Sequence, residues 1–414
     1  MVTQFGNSGF HNRPSLANML HVTALRNVII VGASLAGLRG AEELRRAGHT
    51  GALTLVGAET HFPPFDRPPL SKEVLSGKWT EEEARLRPFE EIDAELVLGT
   101  AAIGLDLDSN TLTLSNGEKR NFDDLMIATG TSVRPLPCPG GDLPGVVTIR
   151  SIEDCRALEK LLESKPRVAA IGAGFIGSEI AAVCRQRDLD VTLADFAEVP
   201  LSRQLGGDIA SRIMQRHRDE GVDLVLGVGV EAVLGTDRVE AVKFTDGREI
   251  PAEVVVAGVG VLPATGWLEG SGIDIDGGVM CDAFGRVGGR PHVVAAGDVS
   301  RWFNPAYGRA LRVEHWTNAV EQAEHAARTL MGQNEQPYTA APYFWSDQYD
   351  MHLQFAGVAG SEQVLVEGSF DEGRWVVECR QDDRIVGVVA NNWVARFMKR
   401  RRMINEQNRA ALTL

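Results

Sequence analysis

Cysteine is scarce and scattered in this chain. The five residues, Cys138, Cys155, Cys184, Cys281 and Cys379, are never closer than 17 positions. That spacing excludes a C-x-x-C dithiol and a disulfide-stapled secreted fold, and an odd, dispersed set reads as reduced thiols in a cytoplasmic setting. Long apolar runs are missing as well. No stretch approaches the roughly 18 uninterrupted apolar residues of a membrane helix, and the N-terminus lacks the compact apolar segment of a secretory signal. Residues 1–41 contain no Asp or Glu, as transit peptides do, yet offer only Arg13, Arg26 and Arg39 as strong bases. Residues 1–23 are polar and patternless and read as a disordered leader.

Positive charge is short: 42 Lys and Arg stand against 56 Asp and Glu, a net −14. This balance disfavours nucleic acid and anionic membrane surfaces as partners. The exception is Arg396–Arg402 (RFMKRRR), five bases in seven residues, which reads either as a solvated helix face or as a docking patch. No metal site is expected.

Glycine, in contrast, is abundant. The 44 glycines exceed the usual usage of about 7% and gather in turns after apolar runs. Asn27–Val31 ends in Gly32-Ala-Ser-Leu-Ala-Gly37, followed by a helical stretch over Leu38–Ala47 and a β-branched run, Leu53–Val56, ending at Gly57-Ala58-Glu59. The same order returns 140 residues later: Val168–Ile171, then Gly172-Ala-Gly-Phe-Ile-Gly177, a helical run Ser178–Arg187, and Val191–Leu193 ending at Ala194-Asp195. Each is a β-turn-α-β opening of a Rossmann unit, and the repeat is a duplicated domain.

Further strand-turn signals are Leu125–Ala128 before Thr129-Gly130, Val254–Ala257 before Gly258-Val259-Gly260, and His292–Ala296 before Gly297-Asp298. A helix is predicted over Val313–Leu330, with Trp316, Val320, Ala323, Ala327 and Leu330 as its apolar stripe. Pro135–Gly141 (PLPCPGG) reads as a hinge or linker. After about residue 331, Met351–Ala356, Gln363–Val366, Trp375–Cys379 and Ile385–Ala390 alternate as strands of an antiparallel sheet. At 414 residues the chain has room for two or three domains of roughly 150 residues.

The second fingerprint is the more complete. Gly172 serves a tight turn, Gly174 lets a backbone approach a pyrophosphate, and Gly177 permits close helix packing, so that phosphates meet the helix N-terminus. Asp195, 23 residues past Gly172, offers a carboxylate to ribose hydroxyls and would repel a 2′-phosphate. No base follows before Arg203, which favours NADH over NADPH. The first fingerprint has Ser34 at the middle glycine. Glu59 sits one residue further past its strand than Asp195 does, so Ala58 is expected to hold the ribose-facing slot. His61–Lys72 is stiffened by four prolines and delivers Arg67 and Lys72 to a fixed place. The N-terminus of the helix after Val313 favours nearby negative charge by roughly 0.3–1 kcal/mol.

Together GASLAG, DRPPLSK, IATG, GAGFIGSEIAA, AAGDV, VEHWTNAVEQA and PYFWSDQYDMHLQFAG, spread from about Asn27 to Phe355, make the chain resemble the NADH-dependent ferredoxin reductases of bacterial oxygenase systems (the putidaredoxin, rhodocoxin and biphenyl-dioxygenase reductases). The resemblance implies an α/β protein of glutathione-reductase-like layout. Its expected parts are a discontinuous FAD-binding domain over 24–130 and 261–330, an NADH-binding domain over 131–260, and a C-terminal α+β interface domain over 331–414.

Around FAD the resemblance sets Gly32, Ser34, Leu35, Ala36, Gly37, Ala58, Glu59, Arg67, Lys72, Ala102, Ala128, Thr129, Gly130, Arg150, Gly297, Asp298, Glu314, His315 and Trp316. Around NADH it sets Gly172, Gly174, Phe175, Ile176, Gly177, Glu179, Asp195, Gly258, Val259 and Gly260. Lys72 and Glu179 resemble the ion pair beside the flavin ring, with the glutamate keeping a partly buried lysine charged. With no cysteine pair, and none soon after the first fingerprint, electrons are expected to leave the flavin directly for a [2Fe–2S] ferredoxin that feeds a cytochrome P450 or ring-hydroxylating dioxygenase. Arg309, Arg312, Arg396, Lys399, Arg400, Arg401 and Arg402 are its candidate docking bases. A rubredoxin reductase, or an NADH-binding redox sensor of the apoptosis-inducing-factor type, is the alternative.

Overall fold

The computed structural model describes residues 26–412 except 90 and 383; the reading of residues 1–23 lies outside the described residues. Two five-stranded parallel sheets form the frame of the first two units. In the first, Val293–Ala295, Asp124–Ile127, Val28–Val31, Leu53–Val56 and Glu95–Val97 lie side by side in that order, all parallel. In the second the order is Asp223–Leu226, Val191–Asp195, Val168–Ile171, Val254–Ala257 and Val146–Val147, again parallel. Central strands of such sheets are covered on both faces and so read as unbroken apolar runs. VIIV, LTLV, VAAI and VVVA are buried throughout.

The duplication runs deeper than the fingerprints. Each unit also carries a three-stranded antiparallel sheet, Ala102–Asp106 with Thr111–Leu114 and Lys119–Asn121 in one, and Val230–Leu234 with Ala241–Phe244 and Glu249–Pro251 in the other. The chain passes between units through an antiparallel ladder, Thr131–Val133 on Val261–Pro263. Pro135–Gly141 is therefore not the hinge. Leu136 is buried in the second unit's core, Val233 donates its N–H to the Pro139 carbonyl, and a side chain at Gly140 would strike the Val233 carbonyl.

The fingerprint helices start earlier than their apolar runs suggest, at Leu35 and Phe175, because the turn glycines flow straight into helix. The late helix begins at Trp316, later than the expected Val313. Of the expected stripe Ala323, Ala327 and Leu330 are buried while Trp316 and Val320 are only half-buried, and the buried face widens to take in Asn318, Ala319, Gln322, Ala326 and Thr329. Small residues sit on that face because it packs on the first fingerprint helix, where a Cβ on Gly40 would lie 3.9 Å from the Ala323 methyl.

The C-terminal unit is an antiparallel sheet in the order Tyr343–Gln348, Met351–Gly357, Arg384–Asn391, Arg374–Gln381 and Glu362–Ser369, closed by a helix over Val394–Ala410. Four of its strands match the sequence reading, and Tyr343–Gln348 is an addition to it. One face meets Phe397 and Ile404 of the terminal helix. The other carries Phe344, Leu353, Phe355, Trp375 and Val377 into the core of the second Rossmann unit. That contact fixes the third unit against the first two.

Candidate nucleotide and redox site

The two turns are built alike. A Cβ on Gly32 would lie 2.1 Å from the Ala128 carbonyl oxygen, and one on Gly172 would lie 2.3 Å from that of Gly258; both glycines take positive φ, at +119° and +100°. Gly37 and Gly177 press on the Gly32 and Gly172 carbonyls, where a Cβ would sit at 1.7 and 2.0 Å. The backbone thus brings Ala128-Thr129-Gly130 and Gly258-Val259-Gly260 to the mouths of their turns. The middle position is different. Ser34 (φ −96°) and Gly174 (φ −72°) are both extended N-caps, and neither conformation requires glycine. Around Gly174 a Cβ would meet nothing within 4 Å. Glycine there leaves room for a ligand and is not needed by the fold.

Strand register corrects the reading of the acidic positions. Val31 pairs with Val56 and Ile171 with Ala194, so Asp195 corresponds to Gly57, not to Ala58. The second strand of the later unit extends past its apolar run, and Glu59 lies two positions past the Asp195 slot. A side chain at Gly57 would come 2.7 Å from the Ala33 methyl, so the slot is closed in the first unit. In the second, Asp195 fills it and accepts N–H bonds from Ala173 and Ala197, each 2.8 Å. A carboxylate has about four lone-pair sites, which leaves acceptor capacity facing outward. Beside it Phe196 stands 83% exposed, and Ile176 on the turn is also exposed. Phe175, by contrast, is turned toward the C-terminal unit, its ring 4.3 Å from that of Phe344.

Around the first turn the expected residues form a connected set. Arg67 donates to Glu59 at 2.6 Å and to the Arg150 carbonyl at 3.0 Å. Arg150 reaches the Asp298 carboxylate at 3.5 Å, and Thr131, missed in the sequence, donates to the same oxygen at 3.3 Å. Arg150 Nε is buried with no hydrogen-bond partner among the described residues, a donor free for an anionic group. Burial, with the nearby Arg67 charge, holds the Arg150 guanidinium below its usual range. Gly297 lies against Ala36 of the first helix and donates its N–H to Gln322 of the late helix at 2.9 Å. Trp316 donates to Asp66 at 2.8 Å, tying the helix start to the proline-stiffened loop; burial raises the Asp66 carboxyl despite that bond. His315 caps the helix without a side-chain bond, Glu314 pairs with Arg312, and Ala102 opens the small sheet two residues after Thr100, whose N–H reaches the Gly57 carbonyl. Ala102 therefore stands at the margin of this set.

Lys72 and Glu179 meet as expected, Nζ to Oε1 3.7 Å, with side chains only 7% and 6% exposed. A third charge joins them that the sequence reading does not include. Asp347, from the C-terminal sheet, lies 3.3 Å from Lys72 Nζ, and the ammonium lies 5.7 Å from the centroid of the Trp345 ring. Burial works against the charged lysine, but Glu179, Asp347 and Glu73 outweigh it and raise its pKa. Burial pushes the Glu179 carboxyl up, opposed by Lys72 and by hydroxyl donors from Ser71 at 2.6 Å and Ser346 at 2.7 Å. Each Rossmann unit and the C-terminal sheet thus contribute one group to a single ion cluster. The only sequence signal for the third is its place in the FWSDQYD motif.

The basic run is not an open patch. Arg396 pairs with Glu367, Arg400 with Glu367 and Glu378, Arg401 with Glu321, and Arg402 with Glu406. Arg400 and Arg401 are turned inward because the sheet and late helix supply carboxylates to them. Arg312 is likewise held by Glu314. Lys399 and Arg309 are exposed and join no ion pair among the described residues; Arg402 is exposed although paired. The cysteines are free, and burial pushes Cys155, Cys184 and Cys281 up to about 12 and Cys379 to about 11. Near neutral pH none is a ready thiolate. Among the described residues no helix is long and apolar enough to cross a membrane.

Comparison with known proteins agrees with this layout. Residues 26–323 match the pyridine nucleotide-disulphide oxidoreductase model and 343–413 the reductase C-terminal model. Rhodocoxin reductase of Rhodococcus erythropolis is 34% identical over 91% of this chain and 89% of its own length. The ferredoxin–NAD(+) reductase component of the anthranilate 1,2-dioxygenase system of Burkholderia cepacia is 36% identical over 88% of this chain and 90% of its own. Among solved structures, the covalent putidaredoxin reductase–putidaredoxin complex matches with a TM-score of 0.87 and 32% identity, covering 92% and 93% of the two chains. The chain is a pyridine nucleotide-disulphide oxidoreductase of the group that holds the ferredoxin reductases of oxygenase systems.

Proposed function

We propose that the chain takes a hydride from NADH onto FAD and passes the electrons singly to a [2Fe–2S] ferredoxin, as a ferredoxin–NAD+ reductase of the cytoplasm. The observation that carries this reading is the convergence of Lys72, Glu179 and Asp347 at the junction of the three units. FAD is assigned to the turn of Gly32, Ser34, Leu35, Ala36 and Gly37, with Glu59, Arg67, Ala128, Thr129, Gly130, Arg150, Gly297, Asp298 and Trp316 around it. NADH is assigned to the turn of Gly172, Gly174, Ile176 and Gly177, with Asp195 and Gly258–Gly260. The two Rossmann units and the C-terminal unit are taken as the corresponding domains.

When bound, the flavin supplies the hydride acceptor and the one-electron steps. The protein's part is position and charge. Lys72 holds a protonated ammonium where negative charge appears on reduction, and Glu179 keeps it protonated out of water. Ser71 and Ser346 satisfy Glu179, so the carboxylate needs no solvent beside it. Arg67 and Arg150 offer guanidinium groups toward the phosphates, and Asp195 offers a carboxylate to the adenosine ribose. With every cysteine buried or raised, no thiol relays the electrons. The likeness to a reductase solved in covalent complex with putidaredoxin supports a protein acceptor.

Purified enzyme should reduce cytochrome c with NADH far better than with NADPH, and only when a [2Fe–2S] ferredoxin is added. NADPH preference would remove the role given to Asp195, and rates independent of ferredoxin would remove the acceptor. Docking is assigned to Lys399, Arg402 and Arg309. Turnover with ferredoxin should therefore fall with salt while ferricyanide reduction stays level.

A further inference from the structure

The ion cluster does not end at Asp347. On the neighbouring strand His352 stands directly opposite it, and the imidazole Nδ1–H donates to Asp347 Oδ1 at 2.5 Å while Asp347 Oδ2 faces Lys72. Glu179, Lys72, Asp347 and His352 form a line of four ionisable groups, from a carboxylate sealed in the core to a ring 34% exposed. With a neutral imidazole the line carries one excess negative charge; with a protonated one it is balanced.

Glu73 adds its charge to Lys72, but among the described residues no further ion pair engages Asp347 or His352. The turn before His352 supplies Asp350, which is taken up by Arg216. The strand beyond it leads to Asn392, an uncharged residue whose Oδ1 accepts the His352 N–H. Glu73 and Lys78 line the cleft that opens against Lys72, Glu179 and Asp347. Burial works to raise the Asp347 carboxyl, but His352 and Lys72 together hold it below its ordinary range. Asp347 is thus shared between the Lys72 ammonium and an imidazole able to carry a proton.

We infer that His352 is a positioning residue that acts through Asp347 on Lys72, so that its protonation frees Lys72 to favour negative charge on the flavin. The inference rests on the flavin-side role given to Lys72 above. A neutral His352 gives Asp347 a hydrogen bond but no charge, so the carboxylate's negative charge is compensated by the ammonium alone. A protonated one draws Asp347 toward itself, and the ammonium's field is less compensated. By linkage, reducing the flavin must raise the proton affinity of His352.

The test is the midpoint potential of the bound flavin over a pH series in the holoenzyme, for the wild type, His352→Gln, His352→Lys and Lys72→Met. On acidification the wild type should pass from the curve of His352→Gln to that of His352→Lys. Lys72→Met should lower the potential at every pH and shrink the gap between the His352 variants. A second readout is the imidazole ring-proton resonance that is lost in His352→Gln. Its titration midpoint should move up in Lys72→Met, where a neighbouring cation is gone. If the three His352 forms superimpose while Lys72→Met is shifted, the inference fails and the role of Lys72 stands. If Lys72→Met leaves the potential unmoved, both fall.

Discussion

The two nucleotide turns share a backbone and differ in what surrounds it. In the second, the slot at the end of the neighbouring strand holds Asp195, and the middle position of the turn is open at Gly174. In the first, that slot is closed by Gly57 against Ala33, and acidity is supplied from further along by Glu59, already paired with Arg67. One site offers a carboxylate with an exposed Phe196 beside it. The other is enclosed by a late helix, a proline-stiffened loop and two arginines. Under the proposed assignment, the same β-turn-α frame would serve a ligand that must come and go and one that stays, with enclosure added by segments outside the frame.

The largest expected effect separates the turns. Gly32→Ala and Gly172→Ala each put a Cβ against a carbonyl at a positive φ, and misplacement of about 1 Å can cost on the order of 100-fold in rate. Gly32→Ala should purify without flavin. Gly172→Ala should stay yellow yet lose NADH-driven bleaching by about that factor, measured by stopped-flow absorbance. Loss of flavin from both would end the assignment of separate ligands.

Next comes the ion pair at which the units meet. Lys72→Met leaves a buried carboxylate uncompensated, a change that costs about 3–5 kcal/mol in comparable cases. Urea unfolding should show this loss, and adding Glu179→Gln should restore part of it. A third effect belongs to a second polar contact with the C-terminal unit. His217 in the second unit is fully buried, bonded to Gln348 at 3.0 Å and to the Tyr349 hydroxyl at 2.8 Å on the C-terminal hairpin. Burial pushes its pKa down to about 4. A group with a lowered folded pKa binds its proton more weakly when folded. Stability from this neutral imidazole is therefore full above about pH 6.5 and is lost as pH falls toward 4, by up to roughly 3 kcal/mol. His217→Gln should make that limb of a stability–pH curve shallower, the remainder belonging to His315 and His325, which burial also pushes down to about 4; an unchanged slope would remove the role given to His217.

Smaller still is Asp195→Ser. It should narrow the preference for NADH over NADPH by at least about tenfold, since a hydrogen bond to a charged group is worth roughly 1.5–3 kcal/mol and about 1.4 kcal/mol is tenfold, read as a ratio of kcat/KM values. The smallest is Ser34→Gly. Ser34 is already extended, so this change should leave FAD retention within about twofold, below roughly 0.5 kcal/mol. A large effect would show that the serine hydroxyl itself holds the cofactor.

What is legible from sequence follows the same division. The fingerprints and the parallel strands are local patterns, set by apolar runs and by glycines that lie against carbonyls, and both Rossmann openings are readable from them. Strand ends are less so, since polar Asp195 belongs to its strand by pairing and not by composition. The Lys72–Glu179 pair is expected only through the family resemblance. Asp347 lies on a strand whose sequence carries little alternation, and only folding brings it to Lys72 across 275 residues. The basic run is visible as charge, but its partners Glu321, Glu367 and Glu378 come from other elements, and no periodicity in the run announces them. Density of charge in sequence says nothing of whether that charge is already spent.

The ladder of Thr131–Val133 on Val261–Pro263 has a consequence for how the molecule can be taken apart. Its two strands are the outward and return paths of the chain, held together at both ends by Arg134 N–H to the Gly260 carbonyl and Ala264 N–H to that of Gly130. The intervening stretch is thus a cassette with its ends already joined at the neck. Replacing it with a tight turn should leave the flanking sheet able to close, and a foreign cassette grafted across the same neck would have to supply the apolar face under Phe344, Leu353 and Phe355 and a carboxylate for Lys72.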